Sequence, residues 1–139
     1  MTRWARHCSV LAAALIAACA APQATFISPP GCTPGGVCFA NVYVDSCEQG
    51  AIRVEPDPIP ISEPRMIRWE VAGRYTFASN GIVINPPDAG DFQPNPPTGK
   101  YFFVFDKHET IKPDIKYTVR VVRSDGVACA PKDPFISNQ

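Results

Sequence analysis

The sequence predicts an all-β fold, a single antiparallel β-sandwich of seven to eight short strands. Three observations predict it. Short runs rich in Val, Ile, Tyr, Phe and Thr alternate with polar residues, the period-two pattern of half-buried strands. All sixteen prolines and nine glycines fall beyond residue 21, a content high for a helical protein and ordinary for strands joined by turns. No stretch shows the apolar spacing of an amphipathic helix, and there is no internal repeat.

The strands follow in order. Val42 and Val44 share one face of the first run, with Tyr43 on the other. Ile52 and Val54 alternate with Arg53 and Glu55, and Ile59 and Ile61 are interleaved with Pro58 and Pro60. Proline cannot donate to a ladder, so "EPDPIPISEP" belongs at a sheet edge. Ile67, Trp69 and Val71 alternate with Arg68 and Glu70, the clearest half-buried strand. Tyr75 and Phe77 lead to Asn80-Gly81, a hairpin signal, and Ile82 to Ile84 leave it. "YFFVF" at 101–105 is apolar on both faces and reads as a central strand. Tyr117, Val119 and Val121 alternate with Thr118 and Arg120, and Ser124-Asp125-Gly126 turns the chain toward Val127–Cys129. This spacing of strands and turns fits a sandwich.

The first eighteen residues stand apart. Arg3, Arg6 and His7 precede an unbroken apolar run from Val10 to Ala18. That run is short of the roughly 20 residues a transmembrane helix needs, and the pattern is that of a secretory signal peptide. Its end, Ile16-Ala17-Ala18-Cys19, resembles the lipobox of bacterial lipoproteins. The resemblance implies cleavage before Cys19, a diacylglycerol thioether on its sulfur and acylation of the new amino terminus. Two or more chains anchor stably in a bilayer where one does not. Ala20, in place of the aspartate that retains such proteins in the inner membrane, implies an outer-membrane lipoprotein facing the periplasm. Ala18-Cys19-Ala20 also satisfies the A-x-A rule, which would release a soluble periplasmic or secreted chain. The division expected is signal peptide 1–18, lipidated tether 19–36 of small residues, Pro and Gly, and β-sandwich domain 37–139.

The chain carries 13 basic and 13 acidic residues. Two of the basic ones, Arg3 and Arg6, leave with the signal, so the mature protein is slightly acidic, and nothing in it suggests nucleic acid as a partner. The expected partners are the membrane, through the N-terminal lipid, and a possible envelope protein. Cys32, Cys38, Cys47 and Cys129 then remain, an even number in an exported chain, where disulfides are the default. If a strand follows Cys38, nine steps of about 3.3 Å hold Cys38 and Cys47 up to roughly 30 Å apart. A bridge needs Cα atoms about 5.5–6 Å apart, which disfavours that pairing. The preferred pairs are Cys32–Cys38 and Cys47–Cys129, the latter stapling the first strand to the last. The alternative is Cys32–Cys47 with Cys38–Cys129. C-x5-C-x8-C does not match structural zinc spacing, so no metal is assigned.

Catalytic chemistry finds little footing. His108 is the only histidine after Cys19, and "DKHET" has neither a nucleophile motif nor the second histidine of a zinc-protease helix. Asp88-Ala-Gly-Asp91 lacks the ligand ladder of calcium loops and reads as a solvated turn. The candidate partner-binding element is the Pro-rich loop Asn85–Lys100, with Asp88, Asp91 and its one large apolar residue, Phe92. The competing reading folds Phe92 back onto the sandwich as a plug.

The segment from "EPDPIPIS" through "IRWEVAGRYTFASNGIVI" is similar to the central strands of small cupredoxin-like sandwiches. With "DPFISN" at 133–138 it also resembles a group of uncharacterised exported bacterial domains. The resemblance implies a cupredoxin-like or immunoglobulin-like fold. Blue copper needs two histidines, a thiolate and usually an axial methionine. His108 and Met66 supply only part of that set, so no cofactor is expected. The function expected is a non-enzymatic binding or structural role in the cell envelope. The alternative is metal handling at a non-standard site of His108, Met66 and carboxylates.

Overall fold

The computed structural model describes residues 24–139. The expected signal peptide, residues 1–18, and Cys19 lie outside the described residues. The described residues are all-β apart from one 3-10 turn, Asp88–Asp91. Ten strands form: β1 Gly31–Cys32, β2 Cys38–Val44, β3 Ile52–Glu55, β4 Ile59–Ile61, β5 Arg65–Val71, β6 Tyr75–Ile84, β7 Phe92–Pro94, β8 Tyr101–Asp106, β9 Lys112–Arg123 and β10 Phe135–Asn138. The count exceeds seven to eight because β1, β4 and β7 are edge pieces of two or three residues.

Two sheets enclose one core. The first has six strands in the order β1-β2-β5-β8-β7, with β3 also paired to β2. The second runs β4-β10-β9-β6. Both sheets are mixed, which corrects the purely antiparallel expectation. β2 and β5 pair in parallel from Cys38↔Ile67 to Val42↔Val71. β4 and β10 pair in parallel from Ile59↔Ile136. Parallel neighbours need a long crossover. Here β3 and the proline-bearing β4 supply it, taking the chain into the second sheet before β5 returns to the first. As the prolines require, β4 is an edge strand.

Alternation places the core as the sequence indicates. Val42, Ile52, Val54, Ile59, Ile61, Ile67, Trp69, Val71, Tyr117, Val119 and Val121 are all buried. At the centre Trp69 of β5 meets Tyr117 of β9, ring centroids 5.4 Å apart and edge to face. The Trp69 indole N–H donates to the Tyr117 hydroxyl at 3.2 Å. Burial pushes that hydroxyl far above its ordinary pKa, so it stays neutral and available as the acceptor. Nearer the open flank, Phe77 of β6 meets Phe102 of β8 edge to face. "YFFVF" is an interior strand, as read, but only one face of it is fully covered: Phe102 and Val104 point inward, while Tyr101, Phe103 and Phe105 are half-buried outside.

Asn80-Gly81 does not form a hairpin. β6 runs straight through it as one strand, and its register to β9 jumps from Phe77↔Val121 to Ile82↔Val119. Residues 78–81 therefore bulge opposite Arg120, a bend of the kind that re-aims an edge strand. A Cβ on Gly81 would lie 2.7 Å from the Phe77 Cβ and 3.0 Å from the Ala78 carbonyl oxygen. Gly81→Ala is expected to cost about 1–3 kcal/mol, the usual range for overpacking, read as a lower urea midpoint at unchanged slope.

The disulfides are Cys32–Cys38 and Cys47–Cys129, the preferred pairs. The second does not join terminal strands. Cys47 follows β2 and Cys129 follows β9, and the last strand is β10 rather than Val127–Cys129. The Ala130 amide donates to the Cys47 carbonyl beside the bridge, so the two loops also share a backbone bond. Cys32–Cys38 closes the turn between β1 and β2, whose register sets those two residues opposite each other.

The described part of segment 19–36 is laid on the first sheet. Phe26 packs edge to face on Tyr43, ring centroids 4.7 Å apart. The Ile27 amide donates to Glu70, and Arg68 donates to the Ser28 hydroxyl. The Asn41 side-chain amide donates to the Ser28 carbonyl, and β1 continues onto β2. Domain packing thus begins well before residue 37.

Candidate functional site

β6 ends one side of the second sheet and β7 one side of the first. Between them the two-sheet structure stays open. The opening is a cleft of about 450 Å³, floored by Ile82 and Ile84 of β6, Phe92 of β7, and Phe102 and Val104 of β8. These floor residues are themselves core residues, so the cleft reaches the hydrophobic interior directly. Its rim is Ser79 and Asn80 from the β6 bulge on one side and Pro94, Asn95, Pro96 and Pro97 on the other.

Local chemistry explains why the gap does not close. Pro94, Pro96 and Pro97 have no N–H to offer, so the β7 side cannot extend a ladder toward β6. The Asn95 amide is spent on the Phe103 carbonyl of β8. Phe77 donates to the Gly99 carbonyl, which ties the start of β6 to the loop and closes the gap at that end. The volume is at the lower end of the range typical of small-ligand pockets.

The loop Asn85–Lys100 lines one side of this cleft, and the three residues singled out in it serve the fold. Phe92 is buried in the cleft floor, as the plug reading has it. Asp91 is buried too, and its carboxylate accepts the Glu109 and Thr110 amides, each at 2.9 Å. The Lys107 amide donates to the Asp91 carbonyl, completing a clamp between the two loops. Asp88 is paired with Lys112 at 2.8 Å. None of the three side chains is free to face a partner. The exposed groups around the cleft's proline rim on this loop include Gln93, Pro94, Asn95 and Pro96.

At one end of the strands lies a buried polar cluster. Asp106 is fully buried; one carboxylate oxygen accepts the His108 amide at 2.7 Å and the other has no partner. The Asn138 side-chain oxygen beside it is also unpartnered. Its amide nitrogen donates to the Thr110 carbonyl at 3.0 Å. Arg65, opposite Asp106 in register, is paired instead with Glu63. Burial, with the Asp91 charge adding to it, raises the Asp106 carboxyl above its ordinary pKa, although the His108 amide works the other way. The sign follows by linkage. The folded state holds the proton more tightly, so this group favours folding below the ordinary carboxylate range and loses that contribution as pH rises through its folded pKa. Asp106→Asn, which needs no proton, is expected to gain on the order of 1 kcal/mol at pH 8, the scale of an unsatisfied buried polar atom. The gain should shrink at pH 4. Urea midpoints of both proteins at the two pH values measure it.

His108 is half-buried, with its backbone in the left-handed region at φ 57°. Its ring Nε2 lies 3.3 Å from the Ile61 carbonyl. Met66 lies on the outer side of β5, opposite Phe105, so the structure does not gather the non-standard metal set around His108. Among the described residues no group of three or more His, Cys, Asp or Glu is arranged to hold a metal ion.

The cleft floor was not foreseen as a site. Ile82, Ile84, Phe102 and Val104 carry the pattern of strand residues, and nothing in it marks them as neighbours of a gap. The proline run was the one usable signal. No protein-family model matches this chain, and no curated protein matches it.

Proposed function

We propose that this chain is a lipid-anchored, exported β-sandwich of cupredoxin-like or immunoglobulin-like type with a non-enzymatic binding role in the bacterial cell envelope. The cleft between β6 and β7 is its binding element. The observation that carries this reading is the open flank itself: a proline-rimmed entrance onto apolar core residues. Leaving such a surface to water costs roughly 25 cal/mol per Å², and an apolar segment of an envelope protein would recover that cost. Stiff rims lose little entropy on binding. Two disulfides suit an oxidising compartment such as the periplasm. The resemblance of Ile16-Ala17-Ala18-Cys19 to a lipobox supports an anchor at Cys19, and Ala20 favours the outer membrane facing the periplasm.

Photo-crosslinking in intact cells tests the binding element. A photoreactive residue at Asn80 or Asn95, on opposite rims, is expected to capture the same envelope protein. Filling the cleft by Ala89→Trp should abolish both adducts without unfolding the domain. Capture from the exposed Arg53 position at equal yield, or no adduct from either rim, would refute the assignment.

A further inference from the structure

We infer that the domain rides on the bilayer surface, with one particular end of its strands against the lipid headgroups. The inference rests on the proposed anchor at Cys19. That end is defined by topology. β2 and β5 finish there at Val44 and Val71, and β3, β6 and β8 start there at Ile52, Tyr75 and Tyr101. β9 finishes there at Arg123, with the Ser124 amide bonded to the Arg74 carbonyl. The exposed surface is made by the turns around Glu48–Gly50, Gly73–Arg74, Thr98–Gly99 and Ser124–Val127.

The first described residues lead to the same end. Ala24 and Thr25 lie in a groove with Val42, Val44, Ala72, Gly73 and Tyr75. From there Phe26, Ile27 and Ser28 are fixed to Tyr43, Glu70, Arg68 and Asn41, and β1 is paired with Phe39 and Cys38. Only five Cα–Cα steps then separate Cys19 from Ala24. Fully extended, they span about 18 Å. β9, with twelve residues, is about 40 Å long. The opposite end, carrying Gly35, Glu63 and Ile111, therefore cannot be turned onto the bilayer while residues 24–28 keep their contacts.

Charge does not drive this contact. Arg123 is paired with Asp125, and Lys100 donates to the Gly73 and Tyr75 carbonyls. The charge of exposed Arg74 is offset by exposed Asp45 and Glu48 at the same end. The contact should thus withstand salt, unlike a basic patch on anionic lipid. It also sets the working height of the cleft, which lies on the flank between the two ends. A partner must reach it close to the membrane.

The test uses the full lipidated protein, isotopically labelled, in nanodiscs of phosphatidylethanolamine and phosphatidylglycerol carrying a gadolinium-chelating headgroup. Intact mass first verifies the lipid on Cys19. Amides of Gly50, Gly73 and Gly126 are expected to relax several-fold faster than those of Gly35, Glu63 and Ile111, with the same ratio in high salt. Inserting about twenty Gly/Ser residues after Gln23, with an r.m.s. span of about 25 Å, should erase the difference. A lipidated protein with even relaxation at both ends, or the reverse gradient, overturns the orientation alone. A chain without lipid at Cys19 overturns the anchor and the orientation with it.

Discussion

Replacing Cys47 and Cys129 together by serine is expected to lower the unfolding free energy by about 4–5 kcal/mol. The bridge spans 82 positions, and closing a loop of that length removes about this much chain entropy from the unfolded state. Cys32–Cys38, with a separation of 6, should contribute about half as much by the same relation. Urea unfolding of the two double-serine variants without reductant separates the contributions. The larger loss should be at least about a quarter of the total for an ordinary domain, which is about 5–15 kcal/mol. The Cys47–Cys129 variant is then expected to be degraded in the envelope while the Cys32–Cys38 variant persists. Equal losses in the two would mean that the long-range staple does not act through the unfolded chain.

The second large effect belongs to Trp69. Trp69→Ala should cost about 3–5 kcal/mol, since the indole is fully buried between the two sheets and its removal leaves a cavity. The hydrogen bond to Tyr117 gives this substitution a sharper companion. Trp69→Phe strands the Tyr117 hydroxyl, and Tyr117→Phe strands the indole N–H, each adding about 1–3 kcal/mol for a buried unpaired group. Combining Trp69→Phe with Tyr117→Phe removes both partners, so the double variant should be more stable than the sum of the single losses implies. A double-mutant cycle by urea denaturation reads this as a coupling energy. Strict additivity would show that the bond contributes nothing beyond ring packing.

Much of the inward-facing half of the molecule was legible in the sequence. Period-two alternation around Ile67-Trp69-Val71 and Tyr117-Val119-Val121 needs only the pleat to be read correctly. Alternation says which face a residue takes, not which strand lies beside it. The parallel pairing of β2 with β5 was invisible for that reason, and so was the pairing of β4 with β10. Asn80-Gly81 misled because glycine serves a tight turn and a close backbone approach equally well. Only the nearness of Phe77 to Gly81 distinguishes them. Asp91 read as solvated because its partners, the Glu109 and Thr110 amides, are eighteen and nineteen positions away.

The cleft shows the same limit from another side. Its proline rim is visible in the sequence as an unusually long, Pro-rich loop. Which residues point out of that loop depends on β7 pairing with β8, which turns Phe92 inward and leaves Pro94, Asn95 and Pro96 outside. For the disulfides, chain geometry disfavours only Cys38–Cys47 and leaves two pairings, of which the structure has the preferred one.

The most direct measurement is the intact mass of the mature protein purified from membranes, reduced and unreduced, for wild type and Cys19→Ser. The expected result is a chain beginning at Cys19 that carries a diacylglyceryl group and an acyl group, and that gains four protons on reduction as both disulfides open. Cys19→Ser should carry no lipid and leave the membrane fraction. A wild-type chain without lipid, or one starting at Ala21, would contradict the anchored envelope module proposed for this protein.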